Sequence, residues 1–198
     1  MTWAPDYTTA AQLKSYLRID SAADDAFIAA WITTVSRNVD DYCGRQFGQV
    51  ATAEARTYTP VWDRHLGKFV AEIDDIQDTT GFVVVDSNGY AVPAHSSTVD
   101  GYTLQPVNAP AKGNPYERLH IDYGTGDITP TGLWGRTAVP AAVTVGVYLQ
   151  GARLAARRDS PFGISGSPSE QGEIRLLAQL DPDLRTALAP LRRSWWCA

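Results

Sequence analysis

Three histidines, two cysteines and three adjacent acidic pairs are the residues of this 198-residue chain that could carry chemistry. His65, His95 and His120 fall in loop or strand contexts, with no H-x-x-x-H spacing to set two imidazoles around a metal. His120 and Asp122 alternate along one strand face, but two ligands do not make a site. Cys43 lies on the apolar stripe of a helix, where a thiol behaves as a small hydrophobe rather than a nucleophile. Neither Cys43 nor Cys197 belongs to a C-x-x-C pair, so two reduced thiols are expected. Asp24-Asp25, Asp40-Asp41 and Asp74-Asp75 are side-by-side acids. Helix neighbours point about 100° apart, so no such pair shares a proton. Asp24 and Asp25 suit the positive end of a helix dipole, and Asp40-Asp41 reads as a solvated face. Gly124-Thr125-Gly126 is a lone G-x-G and reads as a loop, and no nucleophile elbow, zincin or P-loop pattern occurs. No enzyme, no cofactor and no metal is expected.

The residue types that stand out belong to binding. Arg192 and Arg193 precede Trp195 and Trp196, after a Gly/Ser/Pro-rich linker over 159–172. Trp and Arg dominate interface hot spots, and two exposed Trp would invite aggregation. The pair must therefore be covered, either by this protein's own core or by another subunit.

Charge points the same way. The chain carries a net −5, which argues against a general nucleic-acid binder. Residues 140–198 hold seven Arg against five acids, leaving −7 on the rest. An acidic body with a basic C-terminal portion fits a partner met by that end. No stretch approaches the ~20 apolar residues of a membrane span. Met1–Asp6 lacks a basic region followed by an apolar run, so no signal peptide and no membrane partner are expected.

The elements that must position these residues follow from periodicity. Residues 8–19 predict a short helix capped by Thr8 or Thr9, with Leu13, Tyr16 and Leu17 on one face. A long helix runs from about Ala22 to Cys43. Its stripe is Phe27, Ile28, Trp31, Ile32, Val35, Val39, Tyr42 and Cys43, and Gly44 supplies the C-terminal cap. Between Arg56 and Tyr123 the period changes. Phe82–Val85 runs into Asn88-Gly89, a tight-turn signal, and Tyr102–Leu104 and Leu119–Tyr123 alternate as strands do. Thr57–Thr59 and Lys68–Ala71 are weaker strand runs, and Gly124–Arg136 reads as a connecting loop. Pro140 opens a third helix to about Arg158, with Val139, Val143, Val147 and Leu154 inward. Gly146 and Gly151 each lower intrinsic helix stability by about 1 kcal/mol, so close packing against a neighbour is expected there. Glu173–Gln179 predicts a short helix, and Asp181-Pro182 caps another that ends near Pro190.

Two blocks carry a resemblance to a known family. Leu13-Lys14-Ser15-Tyr16-Leu17-Arg18-Ile19-Asp20, the pair Asp24-Asp25, and the long helix closing on Tyr42-Cys43-Gly44-Arg45-Gln46-Phe47 form the first. The second is Val139-Pro140-Ala141-Ala142-Val143 with Ala152-Arg153-Leu154-Ala155-Ala156-Arg157-Arg158 and Asp159–Gly163. In this order the blocks resemble the head–tail connector (adaptor) proteins of tailed bacteriophages. Gly146, Gly151 and the C-terminal segment depart from the family pattern.

The resemblance implies an α+β fold, a small helical bundle with an inserted antiparallel β unit. Residues 1–55 and 137–160 would form the bundle, 56–136 the β-rich unit, and 161–198 a linker and portal-docking segment. It further implies a structural subunit of the virion neck, made in the host cytoplasm, that forms a homo-oligomeric ring, a dodecamer, beneath the portal protein. Such a ring extends the channel through which double-stranded DNA passes without sequence-specific contact. It also offers a platform for stopper or tail-side neck proteins. On this reading Arg192, Arg193, Trp195 and Trp196 belong to the portal interface. The alternatives are another neck protein, a stopper or tail terminator, in which β structure dominates, and a small-molecule-binding α+β domain.

Overall fold

The computed structural model describes residues 3–124, 126–159, 164–165, 174–175 and 180–193. The fold is α+β, with a seven-stranded antiparallel sheet and four α-helices among the described residues. It divides into two compact units, Phe47–Ala138 and a second one made of Met1–Gln46 with Val139–Ala198. The sheet is the largest element, so the protein is sheet-rich rather than a helical bundle with a small insert.

The β unit contains β1 (Glu54–Ala55), β2 (Val61–Asp63), β3 (Lys68–Asp86), β4 (Ala91–Val92), β5 (Tyr102–Gln105), β6 (Tyr116–Ile121) and β7 (Ile128–Trp134). The order is β1-β7-β3-β6-β5, and β2 and β4 also pair with β3. β3 absorbs both the Lys68–Ala71 and Phe82–Val85 runs into one strand. Its turn into β4 uses Asn88-Gly89 as expected: Gly89 has φ +86° and donates its N–H to the Asp86 carbonyl at 3.1 Å. Thr57–Thr59 makes only an isolated bridge, from Tyr58 to Ile128. β1 precedes residue 56, so the sheet starts earlier than the β-rich stretch read from the sequence.

β7 corrects the expectation of a loop over Gly124–Arg136. Its residues alternate strictly between buried and half-buried, with Ile128, Pro130, Gly132 and Trp134 inward. Two residues masked this pattern. Pro130 cannot donate to a ladder, yet its carbonyl accepts from the Arg56 N–H at 3.0 Å, so its donor-less nitrogen also points to the β1 flank, beyond the last β1 residue. Gly132 is required by packing. A Cβ there would lie 2.7 Å from the Phe82 ring and 2.8 Å from the Ile76 Cδ1. Trp134 fills the core beside them, edge-on to Phe82, and its Nε1 donates to the Glu54 carbonyl at 2.7 Å.

The helical unit contains α1 (Ala10–Leu17), α2 (Asp25–Cys43), α3 (Ala141–Asp159) and α4 (Pro182–Leu188), with the two-residue strands β8 (Ile164–Ser165) and β9 (Ile174–Arg175) paired antiparallel. Thr9 caps α1 in a capping box with Gln12. α1 ends two residues short of expectation because Arg18 turns left-handed, with φ +58°. α2 starts at Asp25, after Asp24, and stops at Gly44 in the αL conformation. Ile28, Ile32, Val35, Val39 and Cys43 are buried as the stripe requires, whereas Phe27 is 55% exposed. Leu13, Ile28 and Ile32 form a core with Leu17, Trp31 and Tyr148 against it. β9 falls where a helix over Glu173–Gln179 was expected; residues 173 and 176–179 lie outside the described residues. Asp181 caps α4 as anticipated, accepting from the Asp183 N–H at 2.9 Å and held by Arg153 at 2.7 Å.

Both α3 glycines sit where a neighbour comes close. Leu184 of α4 faces Gly146 and Leu13 of α1 faces Gly151, the packing that their helix-weakening presence predicts.

Candidate functional site

The binding residues singled out in the sequence follow α4. Leu184 and Leu188 bury that helix, and the chain passes through a 3-10 turn, Ala189–Leu191, to the two arginines. The Arg193 N–H donates to the Cys43 carbonyl at 3.0 Å, satisfying an acceptor that α2 leaves open at its C-terminal end. The Arg193 side chain is 5% exposed, and the Arg192 guanidinium lies 5.0 Å from the Tyr42 ring centre. Tyr42 in turn donates its hydroxyl to the Arg185 carbonyl at 3.3 Å. Two cations at this helix end also suit its negative dipole. Arg192 and Arg193 are thus seated on their own α2, and Trp195 and Trp196 lie outside the described residues.

One turn back along α2, Asp40 is half-buried rather than solvated. The Tyr7 hydroxyl donates to it, Arg37 lies 3.1 Å away, and the Tyr7 N–H donates to Ser36 at 3.2 Å. Burial pushes the Asp40 carboxyl up to about 6, against the pull of Tyr7 and Arg37.

In the β unit the surface at the β2–β3 hairpin has no signature in the sequence, because the three-residue β2 follows Pro60 and is too short to show alternation. Val61 and Trp62 are 69% and 52% exposed, and Leu66 at the tip is exposed as well. Trp62 meets Phe69 edge-on at 5.0 Å. At the tip Asp63 accepts from the Leu66 and His65 N–H groups, bonds that hold its carboxyl below the usual range. A groove of about 630 Å³ runs beside this hairpin, lined by Tyr58, Val61, Trp62, Arg64, Val70 and Glu72. Asp63 and His65 line it too, so the lining mixes charged and apolar side chains.

The ionisable groups of the β unit are mostly engaged in structural pairs. Asp74 accepts from Arg56 and from Tyr58, each at 2.8 Å, and burial pushes the Tyr58 phenol well above its ordinary value. Its neighbour Asp75 is buried on the opposite strand face, so this pair does not converge. Asp122 does not pair with His120 in an ion site. It accepts from the Gly101 N–H at 2.8 Å, from Lys68 at 2.7 Å, and lies 2.6 Å from His95 Nδ1. These bonds, led by Gly101, hold its carboxyl far below the usual range. Burial, with Lys68 and Arg118 nearby, lowers His120 and favours its neutral form. Asp100 completes a group with His95 and Asp122 that no sequence spacing announced. Among the described residues no helix is long and apolar enough to cross a membrane.

No protein-family model matches this chain, and no curated protein matches it. Solved structures do. A chain from the neck of an empty gene transfer agent particle, computed with C6 symmetry, aligns over 97% of this chain and 93% of its own length, with 13% identity and a TM-score of 0.54. A chain from the virion of a native gene transfer agent particle aligns over the same shares, with 15% identity and a TM-score of 0.50. At these identities the likeness establishes the fold, helices and β unit together, as one found in gene transfer agent particles.

Proposed function

We propose that this chain is a structural head-to-tail adaptor of a tailed phage or phage-like particle. It works in the virion neck by fitting between other subunits and catalyses nothing. The observation that carries this reading is the end-to-end match, over 97% of the chain, to a chain from the neck of a gene transfer agent particle. The order of the two sequence blocks around the β unit supports the same conclusion independently. In this role the protein assembles in the host cytoplasm into a ring beneath the portal, and the ring extends the DNA channel toward stopper or tail proteins.

The C6 symmetry of that neck suits a subunit number that is a multiple of six, including the dodecamer. A ring built from one chain requires a heterologous contact whose rotation closes. A net charge of −5 suits a conduit that must let DNA slide past. Arg192 and Arg193 are seated on α2, and Trp195 and Trp196 follow them in the chain. Those two Trp would then anchor on the portal. The exposed β2–β3 hairpin would contact the next protein along the neck.

Removing residues 194–198 tests the anchor, because it leaves the Arg193–Cys43 hydrogen bond intact. The truncated chain should keep its thermal stability and lose at least tenfold in affinity for the portal ring. Unchanged affinity would remove Trp195 and Trp196 from the interface. A second reading, a stopper or tail terminator, draws support from the seven-stranded sheet. It requires binding to an adaptor ring or tail tube and none to the portal.

A further inference from the structure

We propose that His95, Asp100 and Asp122 form a divalent-cation site, of Zn²⁺ type, that staples the loop between β4 and β5 to the end of β6. Their ligand atoms all lie within 4.8 Å of one another. One imidazole and two carboxylates are ligands that zinc and its first-row neighbours accept.

The backbone holds these ligands in place before any ion arrives. Tyr102 N–H donates to the Pro93 carbonyl at 2.9 Å and His95 N–H to the Tyr102 carbonyl at 2.8 Å, closing the loop at its base. Ser96 N–H donates to the Val99 carbonyl at 3.0 Å, forming its tip. Gly101 sits against Pro93 so closely that a Cβ would lie 2.0 Å from the Pro93 oxygen, and its N–H reaches Asp122. His95 and Asp100 are therefore presented from the two arms of one pinned loop, toward a carboxylate fixed on the sheet.

The chemistry of exchange is simple. A proton now joins His95 Nδ1 to Asp122 Oδ2 at 2.6 Å. A cation would take that place: His95 would bind through Nδ1 with its ring proton on Nε2, the two ligand atoms would part to about 3.3 Å, and Asp100 would be drawn in by about 1 Å to reach a bonding distance near 2 Å. Lys68 need not leave, since it bonds the other oxygen, Oδ1, at 2.7 Å. It then plays the part of an outer partner that orients a ligating carboxylate and offsets its charge. Three protein ligands leave room for water, so the affinity expected is micromolar. The site lies wholly within the β unit, and its presence does not depend on the neck assignment.

The test is calorimetric titration of the untagged full chain with Zn²⁺, and separately with Mn²⁺, in a non-chelating buffer. One Zn²⁺ should bind per chain, and the melting temperature should rise by about 5 °C at a hundredfold excess over the dissociation constant. His95→Ala and Asp100→Asn, both at exposed loop positions, should each weaken binding at least tenfold while leaving the ion-free melting temperature within a few degrees. His65→Ala, outside the cluster, should bind as the parent does. No saturable binding below 1 mM for either ion, or binding that survives either His95→Ala or Asp100→Asn, overturns the site.

Discussion

Leu184 occupies the space that a side chain at Gly146 would need: a Cβ there would lie 2.1 Å from the Leu184 Cδ1. Alanine is the better helix former by about 1 kcal/mol, so propensity alone favours Gly146→Ala. Overpacking against a buried leucine costs about 1–3 kcal/mol and should win. Urea denaturation of Gly146→Ala should show a net loss of stability, and Leu184→Ala in that background should cost less than it does in the parent. Gly151→Ala, whose Cβ would meet Leu13 at 3.0 Å, should fall within about 1 kcal/mol of the parent. A Gly146→Ala protein more stable than the parent would contradict this packing.

The half-buried Asp40 sets a pH dependence. Its carboxyl rises from 3.8 to about 6 on folding, so the folded chain holds this proton more tightly than the unfolded chain. The contribution of Asp40 to stability is therefore greatest below pH 3.8, declines as the pH rises to about 6, and stays low above it. Asp40→Asn keeps an acceptor for Tyr7 and cannot ionise. The stability of Asp40→Asn relative to the parent should increase between pH 4.5 and 7.5, measured by denaturation at each pH. A constant difference across that range would remove Asp40 as the titrating group.

Trp134 and Trp62 separate core from surface. Trp134→Phe abandons the bond to the Glu54 carbonyl and leaves a gap beside Phe82, costing about 2–3 kcal/mol. Trp62→Ala, on the exposed hairpin, should change stability by less than about 1 kcal/mol. Thermal unfolding of the two variants gives the comparison, and equal losses would show that the hairpin is part of the core.

What the sequence revealed depended on how locally each element is determined. α2 was legible because its stripe, its acidic start and Gly44 all agree along one stretch. The α3 glycines were informative because their cost demanded a close neighbour, and Leu184 and Leu13 are those neighbours. β7 was not legible, since Pro130 and Gly132 read as breakers until the β1 flank and Phe82 explain them. Phe27 matched the helix period, but the period fixes a face only to within a residue position. The group of His95, Asp100 and Asp122 spans 27 residues of sequence and is made by strand register, which no spacing rule encodes. Arg192 and Arg193 were visible as residue types, yet their seat on Tyr42 and Cys43 is tertiary.

The role in the neck is tested most directly by electron microscopy of this protein mixed with the portal ring of its own particle. The expected product is a closed ring stacked coaxially on the portal, its subunit number a multiple of six, with the channel continuous through both. Free monomers beside unaltered portal rings, at concentrations well above micromolar, would contradict it.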